Sequence, residues 1–576
     1  MRRTIENESY QDWVARIFSE ECSGVGQGEK HAMNITFQVT ESCNLRCFPA
    51  GTKVLTNSYE TKNIEDLAVN DILLSVAEDG SLILEESTIT KIFKRTASVR
   101  KIITTDGNSI LTTDEHPFLT EFGRWVEAKD LPLGTKINCY SPTRGFWQNR
   151  IIYNREQKEE VEVFNLETSN HTFIANNYIV HNCTYCYQHD KTEKRMSLET
   201  AKKSIDMLFD KSKTDKYFIM EDMPAVILEF IGGEPLLEIE LIDQIMDYFI
   251  QQCFIKKSKL GYRYMISMST NGTLYHTPKV QEFIKKWRNH LSIGVTVDGN
   301  KELHDSCRVF EDGSGSFDLA ISAAKDELEI NSTTATKFTV SPYNIEYLIN
   351  ALKYDIDFGY KNIFINCVYE EGWTVEHGKQ LYVKLKEVAD YIIDNNINVT
   401  ISMFDDFIGH PLPETENQNW CGGANASMLA VDWRGNWYPC LRYMPSSIGQ
   451  NQEPYVIGDL EHGLVGTPEQ CERFAGCCNI TRRSQSTDEC FYCPIASGCA
   501  WCSAYNYEKN GTIDKRVTYI CPTHKARTLA NIYYWNKKYR KEGIATRFKV
   551  DIPEDWALEF ISKDEFEMLK ELAKED

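Results

Sequence analysis

Apolar runs with the spacing of strands alternate with amphipathic helical patterns along the second half of the chain. After a first strand-like run at Asn34–Thr40, five further strands are predicted at 225–231, 264–269, 292–297, 336–340 and 362–367. Helical spacing of apolar positions lies between or after them, at 197–211, 236–250, 278–287, 317–328, 345–354 and 378–393. This repetition implies a parallel sheet with right-handed crossovers. The pattern therefore predicts an α/β fold, a partial (β/α)6 TIM-like barrel.

A block at residues 47–182 interrupts this repetition with a different pattern. Short β-like runs, such as Lys53–Leu55 and Thr88–Thr90, are separated there by turn residues. We therefore predict a compact all-β domain inserted into the α/β chain. Two more helices are predicted outside the repetition, at Ser9–Glu20 and at Thr523–Lys538, the second as a packing helix of a C-terminal tail.

The composition and charge exclude some classes of partner. Of the 576 residues, 42% are hydrophobic and 26% are charged, which is typical of a globular protein with an ample core. The formal net charge of -21 argues against nucleic acid or an anionic membrane as a partner. No window is apolar enough for a transmembrane helix, and the first residues lack an apolar signal core. We therefore expect a cytoplasmic protein, in which cysteines are more often metal ligands than disulfides.

Two fragments of one cysteine motif lie far apart in the chain. Cys43 and Cys47 begin a Cys-x3-Cys-x2-Cys triad, but an alanine occupies the position of its third cysteine. Removing residues 47–182 joins the first fragment to Cys183 and Cys186, and the triad becomes complete. A mere scatter among 19 cysteines does not explain why deleting one defined block repairs the motif.

The rejoined triad resembles the cluster motif of the radical S-adenosylmethionine (SAM) family. In that family three thiolates bind three irons of a 4Fe-4S cluster, and the fourth iron is open to SAM. The resemblance implies that Cys43, Cys183 and Cys186 are the iron ligands and that SAM is a cofactor. It also implies cleavage of SAM to a 5′-deoxyadenosyl radical, with an electron donor such as flavodoxin or ferredoxin.

The inserted block resembles a mini-intein of the Hint class, whose landmarks it contains in order. These landmarks are Cys47, Thr113, His116, His171, His181, Asn182 and the following Cys183. The resemblance implies that Cys47 attacks the preceding carbonyl to form a thioester, since a thiol is the best side-chain nucleophile near neutral pH. It also implies that His116, held near Thr113, protonates the departing amine.

The end of the block carries the second half of the reaction that the resemblance implies. Cys183 takes over the acyl group, and the Asn182 side chain cyclises and releases the block. His181 and His171 polarise the Asn182 carbonyl or move protons. Asn165 departs from the pattern, because many inteins have an acidic residue there. That departure concerns the rate and the proton management of splicing, and leaves the reaction type unchanged.

Residues for SAM binding are predicted where strands end. Gly232 and Gly233 follow a strand, and glycines let a ligand approach the backbone. The family resemblance implies that this turn meets the amino group of SAM, with Glu234 as its anionic partner. It further implies that Thr296 reaches the ribose and that Arg308 pairs with the SAM carboxylate.

The C-terminal third contains a second set of spaced cysteines, namely Cys421, Cys440, Cys490, Cys493, Cys499, Cys502 and Cys521. Their spacing resembles the SPASM extension of peptide-modifying radical SAM enzymes, except that the last internal gap has two residues rather than three. The resemblance implies two auxiliary 4Fe-4S clusters. One would bind Cys490, Cys493, Cys499 and Cys521, and the other would bind Cys421, Cys440 and Cys502. Cys471, Cys477 or Cys478 would be the fourth ligand of the latter, or its site would be open.

The sequence thus predicts five regions: an N-terminal segment with the first strand (1–46), an intein (47–182), a radical SAM barrel (183–400), a SPASM region (401–525) and a helical tail (526–576). The predicted product of splicing modifies a ribosomally made peptide and forms a thioether cross-link at cysteine. Formylglycine formation on a sulfatase is the alternative within the same enzyme class. A zinc-stabilised binding module is the alternative from another class, because Cys-x2-Cys repeats also suit zinc.

Overall fold

The structure is a computed structural model that describes residues 32–40, 48–76, 82–113, 116–121, 125–128, 131–169, 172–181, 194–210, 225–308, 315–342, 344–369, 372–419, 421–424, 427–448, 452–549 and 552–574. The predicted helix Ser9–Glu20 lies outside these residues. So do six predicted site residues, Cys43, Cys47, His171, Asn182, Cys183 and Cys186. Contacts divide the chain into a first unit, 1–41 with 194–303 and 318–576, and a second unit, 42–193 with 304–317.

The described strands are β1 Ala32–Gln38, β2 Phe48–Pro49, β3 Lys53–Leu55, β4 Thr61–Asn63, β5 Ile72–Val76, β6 Leu84–Thr104, β7 Ser109–Thr112, β8 Pro117–Leu119, β9 Trp125–Glu127, β10 Lys136–Ser141, β11 Gly145–Thr168, β12 Thr172–Ala175, β13 Tyr178–His181, β14 Ala225–Ile231, β15 Tyr264–Thr270, β16 Leu291–Val295, β17 Ala335–Val340, β18 Asn362–Cys367, β19 Thr400–Ile401, β20 Met428–Val431, β21 Trp437–Tyr438, β22 Gly458–Asp459 and β23 Gly463–Leu464.

The described α-helices are α1 Leu198–Leu208, α2 Ile239–Ile255, α3 Pro278–Trp287, α4 Lys301–Cys307, α5 Phe317–Ile330, α6 Leu348–Phe358, α7 Val375–Asp394, α8 Pro468–Cys478, α9 Arg482–Gln485, α10 Asp488–Phe491, α11 Ser503–Asn510, α12 Cys521–Glu542, α13 Glu554–Leu558 and α14 Lys563–Leu572. None of them combines the length and the hydrophobicity that crossing a membrane requires.

The predicted alternation of strands and helices in the first unit is confirmed. β16, β15, β14 and β1 are parallel neighbours in one sheet, with Ile35 opposite Leu228 in the register of β1 and β14. β17, β18 and β19 form a second parallel sheet. The hydrogen bonds of the described residues thus distribute the six predicted strands over two sheets. Their closure into one partial barrel stays a prediction.

The first sheet continues into the cysteine-rich region, which the sequence pattern did not predict. β20 pairs with the free side of β1 in parallel, with Ile35 opposite Leu429, and β21 to β23 extend the sheet in antiparallel fashion. Ile35 and Leu429 are both completely buried. The cysteine-rich region therefore shares a sheet with the α/β repeat.

The second unit has the all-β architecture predicted for the inserted block. Two long strands, β6 and β11, pair along most of their length, and irregular register interrupts the pairing at three places. The remaining strands surround them in antiparallel order. The core is apolar and includes Phe48, Phe118, Phe173 and Tyr178. Neighbouring strands satisfy the backbone hydrogen bonds, so the block needs no helix to close its core.

The predicted helix of the C-terminal tail is confirmed and is longer than predicted. α12 packs against α7, and Tyr533 donates a hydrogen bond to Asp390 on that helix at 2.5 Å. Lys537 donates to the same carboxylate at 2.7 Å. The aromatic and basic residues of α12 therefore anchor the tail on the α/β repeat.

Candidate functional site

The segments that flank the split triad meet in a short stem within the first unit. Thr40 and Arg195 form an antiparallel β-bridge, and the amide of Met196 donates to the carbonyl of Val39 at 2.9 Å. The amide of Val39 in turn donates to the carbonyl of Ile231, at the end of β14, at 3.0 Å. The stem thus lies three residues before Cys43 on one side and nine residues after Cys186 on the other.

Gly232 faces this stem at close range. A Cβ atom at Gly232 would lie 2.6 Å from both the carbonyl oxygen and a methyl carbon of Thr40. A side chain would displace the backbone there, so only glycine fits. The predicted SAM-binding turn is therefore in contact with the strand that leads to the first cysteine of the triad.

The carboxylate of Glu234 is hydrogen-bonded within the protein. One oxygen accepts from the Thr270 hydroxyl at 2.6 Å and from the Leu236 amide at 3.0 Å, and the other accepts from the Asn271 amide at 2.9 Å. Burial raises the pKa of Glu234, and these hydrogen bonds offset part of the rise. Glu234 thereby ties the end of β14 to the end of β15. Its predicted role as the anionic partner of SAM stays a prediction.

The other two predicted SAM residues lie in different units. Thr296 directly follows β16, and its amide donates to the carbonyl of Thr270 at 2.9 Å. Arg308 follows α4 in the segment 304–317 of the second unit, where its carbonyl accepts from the Ser316 hydroxyl at 2.7 Å. The structure places Thr296, but not Arg308, in the same unit as Gly232.

The start of the inserted block packs on a predicted catalytic residue. The ring of Phe48, which follows Cys47 in the chain, lies 3.8 Å from the ring of His116 between centroids. His116 is completely buried, and its amide donates to the carbonyl of Thr113 at 3.3 Å. The predicted pair Thr113 and His116 is therefore close together and beside the first strand of the block.

The end of the block reaches the same place. Val180, two residues before Asn182, pairs with Phe118 across β13 and β8. Phe173 stands opposite Val180, and its ring lies 5.9 Å from that of Phe48 and 6.1 Å from that of His116. Both ends of the block thus converge on the segment from His116 to Phe118. Self-excision requires the two ends to be close together, because the acyl group must pass from one junction to the other.

Asn165 is completely buried in β11, one residue from the position that pairs with Phe48. Its carbonyl oxygen accepts from the Leu166 amide at 2.9 Å, while its amide nitrogen has no hydrogen-bond partner among the described residues. Asn165 therefore offers a hydrogen-bond donor where an acidic residue would offer an acceptor.

His181, another predicted catalytic residue, is the last residue of β13, and its backbone pairs with that of Thr172.

The structure brings Cys421, Cys440 and Cys502 together. Cys440 is near enough to Cys421 and Cys502 for their charges to raise its pKa, in addition to the larger effect of burial. Gly423 leaves room for the side chain of Cys440, since a Cβ atom at Gly423 would lie 3.2 Å from the Cys440 sulfur. The hydroxyl of Ser503, the residue after Cys502, lies 3.6 Å from the Cys421 sulfur.

A second group contains Cys490, Cys493, Cys499 and Cys521. The charges of the other three members raise the pKa of Cys499, after burial as the main cause. Arg516 is the basic neighbour of this group, and its guanidinium donates to the Cys499 sulfur at 2.9 Å. The two groups are therefore those expected from the resemblance, with Cys499 and Cys502 of one Cys-x2-Cys pair divided between them.

Tyr369 and Arg516 are site residues that the sequence analysis missed. Tyr369 follows β18, and its buried hydroxyl is near Cys502 of the first group and Cys499 of the second. Its ring packs edge-to-face on Tyr505 at 5.6 Å. No spacing rule marks either residue. Tyr369 reaches the cysteines from an element that is distant in sequence, and Arg516 lies between two of them without being a metal-ligand type.

The donor chemistry of the two groups fits iron-sulfur clusters. Every described cysteine is a free thiol, and thiolate is the ligand that such clusters need. Among the described residues, no three Cys, His, Asp or Glu side chains converge closely enough to hold a single metal ion.

Comparison with known proteins gives three informative relatives. The chain is 32% identical over 182 residues to the uncharacterised protein MJ0907 of Methanocaldococcus jannaschii, over 32% of this chain and 56% of the relative. It is 24% identical over 276 residues to the radical SAM cyclopropyl synthase TigE of Paramaledivibacter caminithermalis, over 44% of this chain and 53% of the relative. It is 24% identical over 301 residues to the cysteine-type anaerobic sulfatase-maturating enzyme of Clostridium novyi, over 48% of this chain and 73% of the relative. No protein-family model matches the chain.

Solved structures are similar to separate parts of the chain. A variant of the Ssp DnaB mini-intein is matched over 25% of this chain and 98% of its own, with 21% identity and a TM-score of 0.23. Native anSMEcpe with bound AdoMet and the Cp18Cys peptide is matched over 63% of this chain and 95% of its own, with 18% identity and a TM-score of 0.44.

Radical SAM enzymes stand among the curated relatives, which bears out the resemblance that the split triad suggests. The chain spans about half the length of the first two relatives, at 56% and 53%.

Proposed function

We propose that the chain is the precursor of a radical SAM enzyme that modifies a ribosomally made peptide after an intein has removed itself. The bridge between Thr40 and Arg195 carries this proposal, because it holds both flanks of the split triad at one stem. Excision of residues 47–182 would close a short loop on that stem, and this loop would carry the complete triad. Before excision, Cys47 and Cys183 are engaged in splicing, so the precursor would be inactive toward SAM.

The splicing roles follow the convergence of the two ends of the block. Cys47 would form the thioester beside Phe48, where buried His116 can give a proton to the departing amine. Cys183 would accept the acyl group, and cyclisation of Asn182 would release the block. His181 and His171 would assist that last step. Because Val180 pairs with Phe118, the strand that leads to the C-terminal junction passes near the same histidine.

In the spliced enzyme, Cys43, Cys183 and Cys186 would hold a 4Fe-4S cluster with SAM at its open iron. Cluster and SAM, when bound, supply a 5′-deoxyadenosyl radical that abstracts a hydrogen atom from the peptide. Gly232 and Gly233 would leave the backbone open to SAM, and Glu234 would fix that turn through Thr270 and Asn271. Thr296 and Arg308 would bind the ribose and the carboxylate. The parallel strands would close into a partial (β/α)6 barrel around this site.

The cysteine-rich region would be a SPASM extension with two auxiliary clusters. A thiol must lose its proton to bind iron, and burial opposes that loss in the free protein. Arg516 favours the thiolate of Cys499, because its positive charge and its hydrogen bond stabilise the negative sulfur. The residues thus supply thiolate ligands in a site that limits access of water.

The proposed product is a thioether between a cysteine sulfur and a carbon atom of an acceptor residue, and an auxiliary cluster would accept the remaining electron. Similarity to a sulfatase-maturating enzyme favours formylglycine formation as a second candidate. Flavodoxin or ferredoxin would be the electron donor, and the protein would act in the cytoplasm.

The experiment is to incubate the spliced protein anaerobically with SAM, a reductant and cysteine-containing peptides. We expect 5′-deoxyadenosine and a peptide that has lost two hydrogens and kept its sulfur. Loss of sulfur from the peptide would support formylglycine formation. Absence of 5′-deoxyadenosine from iron-loaded, spliced protein would contradict the proposal.

A further inference from the structure

The first cysteine group supplies three thiols, although each of the four irons of a 4Fe-4S cluster needs a ligand. Cys421, Cys440 and Cys502 account for three of these irons. The fourth is either bound by the protein or left open to a substrate thiolate. These two cases give the cluster different roles, since only an open iron can bind sulfur from the substrate.

Each residue advances helix α8 by about 100°, so Cys471 and Cys478, seven residues apart, lie on one side of the helix and Cys477 points to another. Cys478 is exposed, and the Cys471 sulfur donates to the carbonyl of Val465 at 3.1 Å. Cys477 is 1% exposed and belongs to the same buried cluster as Cys440. Only Cys477 of the three is therefore part of the core around the first group.

Cys477 lies in the same buried cluster as Cys440, and Cys502 packs against that cluster. The sulfur of Cys477 lies 3.8 Å from the hydroxyl of Tyr443, which ends the single helical turn that begins after Cys440. Tyr443 is also a neighbour of Cys440 and Cys502. Cys477 is in turn within electrostatic range of Cys421. Cys440, Cys477 and Cys502 thus lie around Tyr443, and Cys421 lies near Cys477.

We propose that Cys477 is the fourth thiolate ligand of the cluster held by Cys421, Cys440 and Cys502. The thiol of Cys477 loses its proton to solvent when its sulfur binds the fourth iron. This inference rests on the proposed function, because it needs an auxiliary cluster in this group. It deepens that function: a cluster with four protein ligands carries electrons and does not bind the sulfur of the substrate.

The test measures iron, acid-labile sulfide and the electron paramagnetic resonance spectrum of the reduced full chain. Cys477→Ser is compared with Cys440→Ser, and Cys471→Ser and Cys478→Ser are the matched controls on the same helix. We expect Cys477→Ser and Cys440→Ser each to lose about four irons, or to change the spectrum of one cluster, while both controls match the wild type. A Cys477→Ser variant with wild-type iron and spectrum, beside a depleted Cys440→Ser variant, would overturn the inference.

Two further outcomes separate this inference from the proposed function. If Cys440→Ser also keeps all its iron, the group holds no cluster, and both the inference and the auxiliary site of the proposed function fail. A measurement on the wild type avoids any folding defect of the variants. With SAM present in excess to occupy the open iron of the triad cluster, added 2-mercaptoethanol should leave the signal that Cys440→Ser loses unchanged if Cys477 closes the site. A shift of that signal would show an open iron in the first group and overturn the inference.

Discussion

Thr40 and Arg195 pair in an antiparallel β-bridge, although 154 positions of the sequence numbering separate them. The pair belongs to the first unit, as do β1 and β14, whose backbone it extends. The α/β unit therefore supplies the stem of the triad loop from its own strands. We infer that the stem is present before splicing and that excision shortens the loop on it.

Gly232→Ala should destabilise this stem. The new Cβ would lie 2.6 Å from the Thr40 carbonyl oxygen, and relief of such an overlap costs about 1–3 kcal/mol. We expect the free energy of unfolding of the spliced protein to fall by that amount and the triad to bind less iron. Urea unfolding and iron analysis measure both effects. Gly372→Ala is the control, because a Cβ there meets no atom within 4 Å; equal stability of the two variants would contradict the account of the stem.

His116→Ala should slow thioester formation at the start of the block. Removal of a positioned general acid typically costs about 100-fold or more in rate. The assay is thiol-induced cleavage after Arg46 in an Asn182→Ala background, which stops the reaction before release of the block. Thr120→Ala removes another buried polar group from the same unit and should cleave at a rate near that of the parent. Undiminished cleavage by His116→Ala would exclude His116 as the acid.

Arg516→Gln should lower the reduction potential of the cluster at the second cysteine group. The guanidinium donates to the Cys499 sulfur at 2.9 Å, and a positive charge favours the reduced, more negative cluster. Arg516→Lys keeps the charge and should give a smaller change. Redox titration followed by electron paramagnetic resonance measures the shift. Exposed Arg434→Gln is the control, and a potential unaffected by Arg516→Gln would show that the contact does not tune the cluster.

His524 should make the stability of the first unit depend on pH. Burial lowers its pKa from 6.5 to about 4, although a hydrogen bond with the Ile495 carbonyl opposes the shift. Below pH 6.5 the unfolded chain therefore binds a proton at His524, whereas the folded chain binds it only below about pH 4. Stability is unaffected above this window and falls within it, by up to about 3 kcal/mol.

His524→Gln should remove this part of the pH dependence, since glutamine keeps a donor for the Ile495 carbonyl and does not titrate. The free energy of unfolding, measured in urea between about pH 5 and about pH 7, should change less in this variant than in the wild type. Identical slopes for wild type and His524→Gln would contradict the assignment.

The local sequence pattern predicted most strands and helices of the α/β unit. It did not predict that a strand of the cysteine-rich region pairs with β1. Ala225–Ile231, Pro278–Trp287 and Asn362–Cys367 occur with the predicted bounds, because strong apolar periodicity fixes them locally. The parallel pairing of β20 with β1 could not be predicted, since four residues carry no signal about a partner some 400 positions away.

The same limit applies to the candidate sites. The spacing of the cysteines carried the resemblance to the SPASM extension, and that resemblance implied their division into two groups. It left Cys471, Cys477 and Cys478 undistinguished, since only packing decides which side of α8 is buried. Arg516 and Tyr369 were missed for that reason as well. The contacts that position Glu234 likewise come from the end of a neighbouring strand.

The central claim is that the chain excises residues 47–182 and rejoins its two flanks. The most direct measurement is the intact mass of the protein after expression, for the wild type and for a Cys47→Ala, Asn182→Ala double variant. We predict that the wild type gives two shorter products, the excised block and the ligated flanks, while the double variant remains at 66.4 kDa. A wild-type chain that persists at 66.4 kDa and still cleaves SAM would contradict the account.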